Sequence, residues 1–198
     1  IGKKFIGNDN VSLVLGDNIF FGYGFSKKLH NAVSKESGAT LFGYYVKNPE
    51  DFGVVEIDSN NKILSIEEKP IKPKSNYVLT GLYYYDNDVV SIAETIKPSS
   101  RGELEISDIN KIYLNENKIN LEILGRGFAW LDTGTHKSLI DAGKFVETVE
   151  DRQGLKIACL EEIAFRMGWI SIEDLKNQAQ KYIKSSYGQY IKSIYENY

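Results

Sequence analysis

The sequence predicts an α/β fold in which a sheet layer is followed by a purely helical C-terminal region. Three observations carry that prediction. VSLVLGD (11–17) is an almost unbroken apolar run, the mark of a strand buried on both faces as in parallel sheets. A helical stripe of Phe25, Leu29 and Val33 and a second strand pattern, ATLFGYYV (39–46), follow it. Strand, helix and strand in that order make a βαβ unit, whose crossover is right-handed in nearly all cases. From about residue 157 onward only helical patterns remain.

The other elements follow in order. Gly38 is expected to stop the first helix as its C′ residue. FGVVEID (52–58) and KILSIEEK (62–69) read as a hairpin around Ser59-Asn60-Asn61, with Pro70 ending its second arm. VLTGLYYYD (78–86) is an aromatic strand, and its alternation sends at least one of Tyr83, Tyr84 and Tyr85 into the core. Ser107-Asp108 is expected to cap a helix carrying Ile109, Ile112 and Tyr113. NLEILG (120–125) and GFAWLD (127–132) supply further strands. Thr135 should cap a helix with Leu139, Ala142, Val146 and Val149 on its inner side, ending before Gly154. EEIAFRMG and ISIEDLKNQAQKYI come next, the latter with a capping-box pair in Ser171 and Asp174. The last stretch carries Tyr182, Tyr187, Tyr190, Tyr195 and Tyr198, which cover the core or form a subunit contact. The expected division is residues 1–156, an α/β part, and residues 157–198, a helical region.

Composition excludes several function classes. A chain of 198 residues that is 42% hydrophobic can bury a sizeable core. Its net charge of −3 gives no general attraction to nucleic acid or to anionic membranes, so any phosphate must be bound by a local site. No apolar run approaches the roughly 20 residues that span a bilayer. The single cysteine, Cys159, excludes an internal disulfide and a cysteine-based metal site, which fits the cytoplasm. The chain opens at Ile1 and its only methionine is Met167, so further residues are expected upstream. Cys159 and Met167 read as packing residues.

Chemistry concentrates at two strand ends. Asp17 and Asp132 each end an apolar run, where a buried strand stops and the backbone turns. Carboxylates at such ends hold Mg²⁺ against a phosphate, because Mg²⁺ takes one or two of them and leaves its other positions to water and substrate. Ligands of open α/β sheets also bind outside the carboxyl ends of strands. Each aspartate has a plainer reading as a turn residue, in Asp17-Asn18 and in the loop Thr133-Gly134-Thr135.

Glu67-Glu68-Lys69-Pro70 places acid and base at the end of an apolar arm. In an ideal strand Glu68 and Lys69 point to opposite faces, so both serve one ligand only if the backbone twists or ends there. Arg101 stands in a loop of small residues where bidentate phosphate contact is easy, although pairing with Glu103 or Glu105 is the commoner state. His30 and His136 receive no role. There is no P-loop, no dinucleotide fingerprint and no catalytic triad pattern, so covalent and redox catalysis are unsupported.

Taken together, LVLGDNIFFG, FGVVEID, IEEKP, TGLYYYD, RGELEISDIN, GRGFAWLDTGTH and EDRQGLKIACLEEIA resemble the bacterial glucose-1-phosphate thymidylyltransferases, a family of sugar-1-phosphate nucleotidylyltransferases. The resemblance implies a doubly wound mixed-sheet nucleotidyltransferase fold followed by C-terminal helices, commonly assembled as a homotetramer. It implies Mg²⁺-dependent transfer of dTMP from dTTP to glucose 1-phosphate, giving dTDP-glucose and pyrophosphate on the way to dTDP-rhamnose. By resemblance Asp17 and Asp132 hold Mg²⁺, while Gly53, Glu68 and Leu79 contact the glucose, the last largely through its backbone. Lys69, Tyr83 and Arg101 hold the sugar phosphate, and Trp130 closes the site nearby.

One departure is visible, since Phe52-Gly53 stands where the family often has Tyr-Gly. In that family a glycine-rich loop with a catalytic arginine and lysine precedes the first of these motifs, so this chain by itself is expected to be inactive or nearly so. The alternatives are a UTP-using nucleotidylyltransferase and a non-catalytic sugar-phosphate-binding or regulatory subunit.

Overall fold

The computed structural model describes residues 2–197, which form two compact units, divided between Thr133 and Gly134. The expected tyrosine at position 198 lies outside the described residues. In the first unit the elements run α1 (Lys3–Ile6), β1 (Val11–Val14), β2 (Asn18–Gly22), α2 (Phe25–Val33), β3 (Ala39–Tyr45), β4 (Gly53–Ile57), β5 (Ile63–Glu68), β6 (Tyr77–Tyr85), α3 (Asp88–Thr95), α4 (Ile106–Asn115), β7 (Ile119–Leu124) and β8 (Phe128–Asp132). The second holds α5 (His136–Gln153), α6 (Leu160–Arg166), α7 (Ile172–Lys181) and α8 (Ser186–Glu196).

The main sheet is mixed. Its order is β5-β4-β6-β3-β7, with β1 also paired to β6, and β2 and β8 form a separate two-stranded ribbon. β3 runs antiparallel to β6 and parallel to β7. The expected βαβ unit is therefore split: β1 and β3 both pair with Tyr83, Tyr84 and Tyr85 of β6, from its two sides, and do not pair with each other. The alternation of β6 sends Tyr83 and Tyr85 to one face, stacked at 6.0 Å within the main core, and Tyr84 to the other.

The hairpin of β4 and β5 forms as expected, its turn held by Asp58 Oδ1, which accepts from the backbone N–H of Asn60 and Lys62. Thr135 and Ser138 close a capping box on α5, which ends at Gly154 with φ of 66°, and Ser171 and Asp174 close another on α7. In the second unit Cys159, Leu175, Ala179 and Ile191 form the core, and Tyr187 and Tyr190 on α8 donate to Glu161 and Glu162 on α6.

Several expectations need correction. The run 11–17 is not a strand buried on both faces: β1 stops at Val14, and Leu13 and Val14 are 41% and 56% exposed. Among the described residues β1 is paired on one side only, to β6. Asp17 thus opens β2, an element the apolar run concealed, and does not close β1. α2 ends at Val33, which is exposed, while Ala32 takes the buried place; Gly38 instead leads into β3. Ser107 does not cap α4, whose N-cap is Glu105, but lies inside it. Leu139 is exposed on α5, and Met167 is half exposed.

Candidate active site

Two pairings build the site. In the β2–β8 ribbon Asn18 is directly opposite Asp132, and Phe20 is opposite Trp130. Directly opposite residues project to the same face. Asp17, one residue before the ribbon, accepts 2.8 and 2.9 Å bonds from the backbone N–H and hydroxyl of Thr133 at its carbonyl, which extends the pairing by one step. Its carboxylate Oδ1 accepts a 2.7 Å bond from Asn18 Nδ2. The backbone at Asp17 thus lies beside the Asp132–Thr133 segment, 115 positions on in sequence by subtraction of 17 from 132.

The second pairing sets Gly53 opposite Glu68 in the β4–β5 hairpin. A Cβ at position 53 would lie 3.2 Å from Glu68 Oε2 and 3.5 Å from Ser107 Oγ, so the bare backbone makes room for both. Ser107, buried on α4, donates its hydroxyl to Glu68 Oε2. Lys69 N donates to Phe52 O at 3.0 Å, and Lys69 then leaves the strand with φ of +41°. That turn ends the strict alternation of β5 between Glu68 and Lys69. Lys69 is exposed and forms no ion pair among the described residues.

Arg101 reaches Glu68 Oε1 at 4.0 Å while pairing with Glu103 at 2.8 Å and approaching Glu105 at 3.7 Å. The loop is tightened by the Ser99 hydroxyl, which accepts from Arg101 N and donates to Glu105. Tyr83 is buried, and that burial, reinforced by the nearby Glu68 carboxylate, raises its phenol far above the usual range. It therefore remains a neutral hydroxyl donor across ordinary pH.

One wall joins the two pairings. Trp130, 9% exposed, packs edge-on against Phe52 at 5.2 Å and Tyr44 at 5.9 Å, and its Nε1–H donates to Asn18 Oδ1 at 2.6 Å. Phe52 adjoins Gly53, so the carboxylate end and the hairpin end meet through aromatic rings. Leu79 is buried on β6, two residues before Gly81, whose N–H also donates to Asn18 Oδ1 at 3.0 Å.

The fold therefore links Asp17 and Trp130 through Asn18, and Glu68 with Ser107 and Arg101, while Phe52 beside Gly53 packs on Trp130 between the two groups. Sequence reasoning missed Asn18, which looked like the second half of a turn pair, and read Ser107 as a cap; neither has a local signal that separates the roles. The His30 ring Nδ1 lies 2.7 Å from the Ser26 carbonyl of its own helix, and His136 starts α5.

No group of three or more His, Cys, Asp or Glu side chains that could hold a metal occurs among the described residues. Two carboxylates are nonetheless the number Mg²⁺ takes from protein when a phosphate supplies other oxygens. The hard oxygens of Asp17, just before β2, and Asp132, at the end of β8, suit that ion.

A family model described as nucleotidyl transferase matches residues 1–149. The chain is 59% identical over 191 residues to a glucose-1-phosphate thymidylyltransferase of Neisseria meningitidis serogroup A, covering 96% of this chain and 66% of that protein. It is 52% identical over 196 residues to one of Mycobacterium tuberculosis strain H37Rv, covering 99% and 68%. A Bacillus anthracis crystal structure with sucrose, provisionally described as a glucose-1-phosphate thymidylyltransferase, matches with a TM-score of 0.65 and 41% identity over 73% of this chain and 57% of that one. UDP-glucose pyrophosphorylase shares the fold, with a TM-score of 0.64 at 19% identity, over 74% and 59%. The chain spans about two-thirds of the length of the curated relatives it matches, 66% for the first of them.

Proposed function

The chain belongs to the nucleotidyl transferase family and, within it, to the glucose-1-phosphate thymidylyltransferases, and from that membership we propose that the whole protein transfers dTMP from dTTP to glucose 1-phosphate. The products are dTDP-glucose and pyrophosphate, and the pathway served is dTDP-rhamnose and polysaccharide biosynthesis in the cytoplasm. The observation that carries the reading is the β2–β8 register, which sets Asp132 opposite Asn18 and so beside Asp17. Residues 1–156 hold the sugar-phosphate and metal-binding part, and all site residues fall at or before Asp132; residues 157–198 are its helical complement, and the assembly is a homotetramer.

In this reading Asp17 and Asp132 are the protein ligands of Mg²⁺. When bound there, the ion supplies charge neutralisation for the phosphates. The nucleophile is a sugar-phosphate oxygen, already anionic, so the protein's task is positioning and electrostatics. Lys69 and Arg101 offer positive charge to that phosphate, Arg101 by giving up part of its pairing with Glu103. Tyr83 contributes a hydroxyl donor that stays protonated. Glu68, with Oε2 occupied by Ser107, keeps Oε1 for a sugar hydroxyl, and Gly53 and the Leu79 backbone line the same sugar. Trp130 and Phe52 form the apolar wall, and Phe52 offers that sugar no hydroxyl.

The test is a substrate panel on the full-length protein. Pyrophosphate release should require Mg²⁺ and glucose 1-phosphate and should favour dTTP over UTP; a preference for UTP would replace the thymidylyl assignment with a uridylyl one.

A further inference from the structure

Asn18 offers no acid, base or charge, yet two other strands and the adjacent Asp17 meet on its amide. Its Oδ1 accepts from the Trp130 indole N–H at 2.6 Å and from the Gly81 backbone N–H at 3.0 Å. Both partners are donors only, so the amide oxygen must face them, and the amide nitrogen is left to face Asp17 Oδ1 at 2.7 Å. The orientation is thus forced from the neutral side and spent on the charged side. The packing is equally committed: a Cβ on Gly81 would stand 2.8 Å from Asn18 Cγ and Oδ1, closer than real side chains come. Position 81 is bare where the amide lies against β6.

We propose that Asn18 is a positioning residue that couples the Trp130 wall to the Asp17 carboxylate. The inference rests on the metal reading above. A cation drawing on the Asp17 oxygens changes what Asn18 Nδ2 donates to, and the rigid amide passes that change to the indole N–H. Linkage makes the effect reciprocal, so an indole seated against its sugar-pocket neighbours holds Asp17 in place for the cation. One side chain thereby ties filling of the sugar pocket to assembly of the metal site.

The experiment uses the two indole N–H resonances of the ¹⁵N-labelled chain. The protein has two tryptophans, Trp130 and Trp169, so Trp169→Phe assigns the Trp130 signal. Titration with Mg²⁺ should move the Trp130 indole signal together with backbone amides around Asp17 and Asp132. Asp17→Asn should abolish the whole response, which checks the metal reading separately. Asn18→Leu should keep the amide response, with affinity lower by about fivefold, the factor one net hydrogen bond is worth, and lose the indole shift. Gly81→Ala keeps the amide but displaces it, and the indole shift should be lost there too; it carries the test if the Asn18 variant does not fold. An indole signal that stays still in the wild type while the surrounding amides move overturns the coupling. So does an indole shift that survives both variants with the wild-type midpoint. If no resonance of the wild type responds to Mg²⁺, the metal reading fails and the coupling with it.

Discussion

Asn18 stands directly opposite Asp132 across the β2–β8 ladder. That one register position joins Asp17, reached through the Asn18 amide, to a carboxylate from a distant part of the chain. A slip of one residue would turn Asp132 to the other face. The ribbon is held by rings on both strands: Phe20 of β2 and Phe128 of β8 pack on Phe25 of α2, with centroids 5.4 and 6.0 Å away. The geometry of the proposed metal site therefore depends on aromatic packing away from the carboxylates.

Gly53→Ala should weaken sugar-phosphate binding while leaving the fold intact. The new Cβ would sit 3.2 Å from Glu68 Oε2, so Glu68 must yield by a few tenths of an ångström. Misplacement on that scale should raise KM for glucose 1-phosphate roughly three- to tenfold. Steady-state kinetics of the full-length protein reads it, and an unchanged KM would remove Glu68 from the sugar site.

Ser107→Ala leaves a part-buried carboxylate without its donor. The cost should be about 1–3 kcal/mol, seen as a lower denaturation midpoint. Ser107→Thr keeps the hydroxyl and should recover most of the loss, in stability and in KM alike. Equal behaviour of the two variants would mean that the hydroxyl does not hold Glu68.

Gly188→Ala should destabilise the second unit selectively. Its Cβ would collide with the Tyr182 carbonyl oxygen and stand 2.8 Å from the Ile183 nitrogen, all of it backbone that cannot swing aside. Overpacking of this kind costs about 1–3 kcal/mol. Trp169 lies in that unit and Trp130 in the other, so single-tryptophan variants separate the two unfolding signals.

Alkaline pH should loosen α8 from α6. Burial, helped by the bond to Glu162, pushes the Tyr190 phenol up to about 12 from its usual 10.0. A group whose folded pKa is raised contributes stability that is fully present below its unfolded pKa and lost as pH rises through the folded one. Stability of the second unit should therefore fall between about pH 10 and pH 12, and Tyr190→Phe should flatten that part of the profile. An identical profile in the variant would place the alkaline sensitivity elsewhere.

The strands at 39–46, 52–58, 62–69, 78–86, 120–125 and 127–132 were legible because each is a compact apolar or alternating run between turn residues. The caps at Thr135 and Ser171 were legible for the same reason, since their chemistry is local. What the sequence could not reveal is pairing. VSLVLGD has the apolar density of a buried strand, yet β1 is exposed, because exposure depends on what lies beside a strand and not on its own residues. β2 stayed hidden because Asp17-Asn18 reads as a turn, and only the partner strand makes NIFFG extended.

The candidate residues themselves came mostly from motif resemblance, and the structure links some of them, Glu68 to Arg101 directly and Asp17 to Trp130 through Asn18. Asn18 and Ser107 escaped because an amide or hydroxyl that orients a neighbour looks, in sequence, like any other turn or cap residue. Lys69 shows the converse: alternation alone sent it away from Glu68, and the proline that follows pointed to the break that its positive φ provides.

The central claim is that Asp17 and Asp132 together hold a divalent cation. Mn²⁺ binding followed by electron paramagnetic resonance tests it in the wild type, Asp17→Asn, Asp132→Asn and the double variant. Each single variant should lose at least about tenfold in affinity, ~1.4 kcal/mol, with the double variant little worse than either one, because both carboxylates serve one ion. Wild-type affinity in either single variant, with the fold intact, would return that aspartate to a turn residue and contradict the site.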